Sequence, residues 1–232
     1  MKDLKKIITE KFDIKLKKNQ KIDAFKYFFG QKINNITTLD SKDEGYAEHN
    51  FSGLHSASNE SNCDAIVEYI KIHYPELKNH CDIGGSIGTL SKKLIDLNKD
   101  SYVIEGHDLG LRNNSVKIPL EKYCVFDITA SSMDCLNLEK YFDLTTTFEV
   151  TEHIPVDKID MFYENCKLIS KSHICSVHHG GESHEQNVFS NHYNVKSVDW
   201  WVEFLSKYGK VTKIDLNIPT FGESSCLRVD FY

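Results

Sequence analysis

The chain predicts an α/β fold: a seven-stranded, mostly parallel sheet with helices on both faces, closed by a C-terminal antiparallel hairpin. Three observations carry this. From Asn62 onward, strand-like runs alternate with helix-period segments at short intervals, the pattern of a parallel sheet joined by helical crossovers. The first strand-like run ends in a glycine-bearing turn, CDIGGSIGTL, that opens a helix. The last two runs, KVTKIDLNI and SSCLRVDFY, are separated only by PTFGE, which is too short for a helical crossover.

The elements follow in order. CDAIVEYIKIHY predicts a helix with Ile66, Ile70 and Tyr74 on one face, stopped by Pro75. LKNHCDIG is the first strand, and TLSKKLIDLN a helix with Leu90, Leu94 and Leu97 along one side. SYVIEG, KYCVFD, FDLTTTFEV and HICSVHH supply strands two to five. The helix VDKIDMFYENCKLI precedes the fifth strand, and VDWWVEFLSKYG follows it, capped by Ser197 and ended by Gly209. Trp200 and Trp201, at the start of that helix, read as core-filling aromatics.

At 232 residues the chain allows one large domain with an appendage. Residues 1–60 form the expected appendage, Lys-rich and then polar, with Ile22, Phe25 and Phe29 near helical spacing; residues 61–232 form the main domain. Lys and Arg number 28 against 34 Asp and Glu, a net charge of −6 that is a poor match for a nucleic-acid backbone. No run of about 18 apolar residues is present, so no transmembrane segment is expected. The opening MKDLKKIITEKF lacks the apolar core of a signal peptide, so the expected location is cytoplasmic. The seven cysteines are scattered without a C-x-x-C pair and are expected to be reduced.

Chemistry-bearing residues gather where strands end. The first turn holds Asp82, Gly84, Gly85, Ser86 and Gly88, and its glycines let backbone approach a ligand closely. VIEGHD brings Glu105 and Asp108 to the end of the second strand, and CVFDIT brings Asp127 and Ile128 to the end of the third. FEVTEHIP carries Glu149, Glu152 and His153 beyond the fourth. After the fifth comes a histidine-rich stretch that includes His173, His178, His179, His184 and His192.

In order and spacing, these motifs resemble those of class I S-adenosylmethionine (SAM) dependent methyltransferases, a Rossmann-like family, over residues from about 62 to 232. The family's first motif reads roughly acidic-x-G-x-G-x-G. Here it runs from Asp82 to Gly88, with Ser86 in place of the middle glycine. The resemblance implies SAM as cofactor and S-adenosylhomocysteine as its product. It places Asp108 on the ribose hydroxyls, with Glu105 as the competing residue, and Asp127 and Ile128 at the adenine. Glu149 joins the cofactor side. E-V-T-E-H-I, and the later H-x-N followed by W-W, resemble a subset acting on small molecules and glycans, which implies a hydroxyl of a sugar or glycan as acceptor.

Methyl transfer from a sulfonium is an in-line displacement, so holding the acceptor in place with water excluded is the main task. A base on the acceptor hydroxyl adds to this. The candidates are Glu152, His153, His178, His179 and His192, with His153 and His178 first because each directly follows a strand. His192 with Asn194 is the alternative pair for binding acceptor hydroxyls. No metal is expected, because no compact H-x-x-x-H spacing is present. The metal alternatives use Glu149 and Glu152, or a histidine with Glu182 or Glu185. Two rival readings are a nicotinamide-dependent reductase, for which no Tyr-x-x-x-Lys pair is recognisable, and a SAM-binding protein without catalysis.

Overall fold

The computed structural model describes residues 20–27, 29, 59–179, 192–218 and 224–232, with Lys6 and Thr9. Strands β1 (Asn79–Ile83), β2 (Asp100–Glu105), β3 (Tyr123–Val125), β4 (Phe142–Thr147), β5 (Ser170–His178), β6 (Gly209–Ile214) and β7 (Ser224–Phe231) form one sheet in the order β3-β2-β1-β4-β5-β7-β6. The first five are parallel. β7 runs antiparallel to both β5 and β6, so the hairpin turns back and its last strand lies inside its first. Burial fits this order: Leu227 and Val229 of β7 are fully covered, whereas β6 is the edge and exposes Lys210 and Lys213, charges that discourage a further strand from pairing.

The helices are α1 (Ala24–Tyr27), α2 (Glu60–His73), α3 (Thr89–Asp96), α4 (Leu109–Arg112), α5 (Ile159–Ile169) and α6 (Val198–Leu205). Because side chains alternate along each strand, the sheet has two apolar faces. On one, Cys81, Ile83 and Val177 pack with Phe162 and Tyr163 of α5 and Trp201 of α6. On the other, Leu144 and Ile174 pack with Ile66 and Ile70 of α2 and Leu90 and Leu94 of α3. Asn59 caps α2 by accepting the Ser61 amide, and Ser197 caps α6 by accepting the Trp200 amide.

Several sequence expectations shift. α3 stops at Asp96, so Leu97 leaves the predicted stripe and is 42% exposed. α5 begins at Ile159 rather than Val156, and β4 ends at Thr147 rather than Val150. Trp201 is buried as expected; Trp200 instead sits at the surface, stacked on Phe204 with ring centroids 5.0 Å apart.

Part of the expected appendage belongs to the main core. The Ile22 amide donates to the Cys135 carbonyl and the Asn137 amide to the Ile22 carbonyl, both at 2.9 Å. Phe29 is fully buried against Phe25, Tyr102 and Phe142. All seven cysteines are free. Among the described residues no helix is long and apolar enough to cross a membrane.

Candidate active site

Parallel pairing brings the C-terminal ends of β1 to β5 to one edge of the sheet, where the expected residues gather. Gly84 (φ +72°) and Gly88 (φ +82°) adopt left-handed conformations that a side chain disfavours. A Cβ on Gly84 would lie 2.5 Å from Cγ2 of Val150, so this turn is packed against the chain leaving β4. Ser86 also takes a positive φ, 51°. Its amide donates to the Glu105 carboxylate (2.7 Å) and its carbonyl accepts from the Tyr123 hydroxyl (2.8 Å), which together hold it there.

Behind the turn runs a buried polar chain. The Thr146 hydroxyl donates to Asp82 Oδ1 (2.6 Å) and lies 2.9 Å from His80 Nε2, while His80 Nδ1 lies 2.7 Å from the Ser101 hydroxyl. Burial pushes the Asp82 carboxyl up to about 7 and His80 down to about 3, so His80 is neutral. Thr146 has one proton and gives it to Asp82; His80 therefore carries its proton on Nε2 and accepts from Ser101 at Nδ1. His80 and Thr146 were not singled out from sequence. The signals were a lone histidine in an apolar strand and the run Thr145, Thr146, Thr147 in another.

At β2 the two competing carboxylates separate. The strand ends on Glu105, which is turned onto the glycine loop through Ser86. Asp108 lies at the start of α4 instead: its carbonyl accepts the Arg112 amide and its carboxylate pairs with the Arg112 guanidinium at 2.8 Å. Beyond β3, Asp127 accepts the Thr129 amide (2.9 Å) and hydroxyl (2.6 Å). Ile128 is buried, and the Asn165 side chain holds its carbonyl at 2.7 Å.

The chain leaving β4 turns sharply at Glu149 (φ +55°), whose amide donates to the Ser176 hydroxyl at 2.7 Å. A single 3-10 turn, Thr151–His153, follows. Glu152 is only 1% exposed, and burial, with Glu149 nearby, holds its carboxyl well above the usual range. Among the described residues, Glu149 Oε1 and Glu152 Oε2 are buried without a hydrogen-bond partner. His153 Nε2 lies 3.8 Å from Glu152 Oε1. The His192 ring stands 4.7 Å from that of His153 and 4.8 Å from that of His178, centroid to centroid.

His192 arrives there through its neighbours. The Tyr193 and Asn194 amides donate to the Glu152 carbonyl (2.6 and 3.2 Å), and the Asn194 side chain donates to the Ile154 carbonyl. Glu152, His153, His178 and His192 are thus brought together. His179 follows the end of β5, partly buried. Asn194, read from sequence as an acceptor-binding group beside His192, is fully buried and acts as a clamp. His173 is a core residue: it packs against Tyr163 and Phe231, bonds Thr145 at 2.9 Å, and burial lowers it to about 3. His184, Glu182 and Glu185 lie outside the described residues.

No protein-family model matches the sequence, and no curated protein matches it. Solved structures do match its fold. Magnesium protoporphyrin IX methyltransferase (ChlM) from Synechocystis PCC 6803, solved with bound S-adenosylhomocysteine, is 12% identical with a TM-score of 0.57, over 83% of this chain and 96% of that one. The mitomycin 7-O-methyltransferase MmcR is 12% identical with a TM-score of 0.58, over 88% of this chain and 64% of that one. Phosphoethanolamine N-methyltransferase 2 from Haemonchus contortus, solved with SAM, is 16% identical with a TM-score of 0.57, over 79% of this chain and 46% of that one. With β3-β2-β1-β4-β5-β7-β6 order and a glycine turn after β1, the chain has the Rossmann-like fold of class I SAM-dependent methyltransferases.

Proposed function

We propose that this protein is a SAM-dependent methyltransferase acting on a hydroxyl of a small polar acceptor, a sugar or glycan, in the cytoplasm. The observation that carries this reading is adjacency: Val150 packs the glycine turn directly against the segment that bears Glu149, Glu152 and His153. A cofactor cradle and a cluster of acid and base groups therefore share one edge of the sheet, as transfer between two bound molecules requires. The SAM and S-adenosylhomocysteine named with two of the fold neighbours support the choice of cofactor.

When bound, SAM supplies an electrophilic methyl group on a sulfonium. Around it, Gly84, Gly85, Ser86 and Gly88 form the cradle and Asp82 stands beneath the turn. Glu105 takes the ribose hydroxyls in place of Asp108, because it ends β2 beside the cradle whereas the Asp108 carboxylate is engaged by Arg112. Asp127 and Ile128 flank the adenine, and Glu149 bounds the cofactor on the β4 side. Across the site, the imidazoles of His153, His178 and His192 and the carboxyl of Glu152 face the acceptor. A neutral imidazole there removes the hydroxyl proton as the oxygen attacks, worth about 10² to 10⁴ in rate.

Calorimetry with S-adenosylhomocysteine and with NAD tests the cofactor, with micromolar binding expected for the first and none for the second. Mass spectrometry of a sugar and glycan panel incubated with SAM then tests the acceptor. Affinity for NAD equal to that for S-adenosylhomocysteine would sink the cofactor assignment, and a methylated protein or nucleic acid as product would sink the acceptor.

A further inference from the structure

We propose that Glu152, His153 and His192 form a binding site for one divalent first-row transition-metal cation on the acceptor side of the site. One ligand atom from each residue, a carboxylate oxygen and two ring nitrogens, lies within 4.8 Å of the other two. Metal bonds of about 2.0 to 2.2 Å put neighbouring ligand atoms roughly 3 to 4.3 Å apart, so small side-chain rotations close the site. Two imidazoles and a carboxylate suit cations such as zinc, cobalt or nickel, whereas magnesium, calcium and manganese favour oxygen ligands.

A second observation points to a cation independently. Glu152 is almost wholly buried, and its Oε2 has no hydrogen-bond partner among the described residues. An anion in that position is costly unless a positive charge sits against it. Glu149, which precedes the same turn, also presents a buried oxygen without a hydrogen-bond partner among the described residues. The triad is also preorganised: the Tyr193 and Asn194 amides tie His192 to the backbone of Glu152 itself. The sequence expectation of no metal looked for paired histidines on one helix. These ligands instead come from two adjacent residues of a 3-10 turn and a third from a distant segment.

The role of the cation rests on the methyl-transfer reading, although its binding does not; with His153 and His192 engaged as ligands, His178 beside them is the imidazole left to take the hydroxyl proton. Lying beside the cofactor cradle, it would take the acceptor's oxygen as a further ligand, which favours acceptors presenting one or two hydroxyls over an isolated amine.

The test uses the full chain, treated with chelator and titrated with Co²⁺ without SAM, followed by visible absorption and calorimetry. One equivalent is expected to bind, with ligand-field bands distinct from aqueous Co²⁺ and displaced by Zn²⁺. Glu152→Gln, His153→Gln and His192→Gln should each weaken binding by about 100-fold or more, while His73→Gln, at an exposed position ending α2, should not. S-adenosylhomocysteine calorimetry on the same samples reports the fold and the cofactor side. If Glu152→Gln does not fold, His192→Gln decides, since its ring is only half buried. No saturable Co²⁺ binding, or binding unchanged in every folded variant of the three, overturns the proposal. Co²⁺ binding without S-adenosylhomocysteine binding overturns the methyl-transfer reading and leaves the metal site standing.

Discussion

Burial raises the Glu105 carboxyl to about 7, against three backbone amides, of Ser86, Gly106 and His107, that pull it down. A ligand that donates hydroxyls to this carboxylate favours its ionised form. Affinity for S-adenosylhomocysteine should therefore rise with pH through about 7 and then level, and Glu105→Gln should flatten that rise. On the proposed assignment of Glu105 to the ribose hydroxyls, Glu105→Ala should weaken binding by roughly 10- to 100-fold. Asp108→Ala should cost little, since its carboxylate is held by Arg112 and His107 rather than turned onto the glycine turn. Calorimetry across pH reads both, and the reverse ranking of the two alanine variants would return the ribose role to Asp108. Stability is the poorer readout. Asp82 and Glu105 keep protons up to about 7 that the unfolded chain releases near 4, so their contribution falls as pH rises through that window. His80 and His173, lowered to about 3, act oppositely: the unfolded chain takes up their protons below about 6.5, so their contribution falls as pH drops.

Two short elements decide whether the site assembles. The glycine turn is shaped by the protein as much as by any ligand, since a methyl group on Gly84 meets Val150. Gly84→Ala should therefore disturb the cradle and the Glu149 turn together, lowering S-adenosylhomocysteine affinity and the melting temperature in one step. The clamp at Asn194 is different. Asn194→Ala strands the buried Ile154 carbonyl, at a cost of about 1 to 3 kcal/mol, and removes the side-chain part of the attachment that holds the His192 segment, leaving the Tyr193 and Asn194 amides on the Glu152 carbonyl. Methyl transfer should fall while S-adenosylhomocysteine affinity stays near wild type, because the clamp touches the acceptor side alone. Equal loss on both sides would show that the two halves of the site are not separable.

For the whole molecule, the sheet is packed on both faces, and the N-terminal residues Ile22 and Phe29 join the core on one of them. Phe29 fills space between Phe25, Tyr102 and Phe142, so Phe29→Ala should cost about 3 to 5 kcal/mol. In a chain of this size that lowers the melting temperature by roughly 6 to 20 °C. An unchanged melting curve would show that the Phe29 ring adds nothing to this core.

Much of this architecture was legible in the sequence for local physical reasons. Strand and helix periods, the turn glycines and the short PTFGE connection fix which elements exist and which pairs must be antiparallel, so the seven-stranded sheet and its terminal hairpin followed from spacing. The residues directly beyond each strand were legible too, because parallel strands deliver their C-terminal ends to one edge whatever the details. What only the tertiary structure decided depends on contacts between segments far apart in the chain. Glu105 and Asp108 stand three residues apart in one strand exit, and only the point at which β2 stops and α4 begins turns one onto the Ser86 amide and the other onto Arg112. His80 gains its meaning from Ser101 and Thr146 on neighbouring strands. His192 joins Glu152 and His153 because backbone amides dock its segment onto the Glu152 turn, an attachment between backbone groups that side-chain identity does not encode.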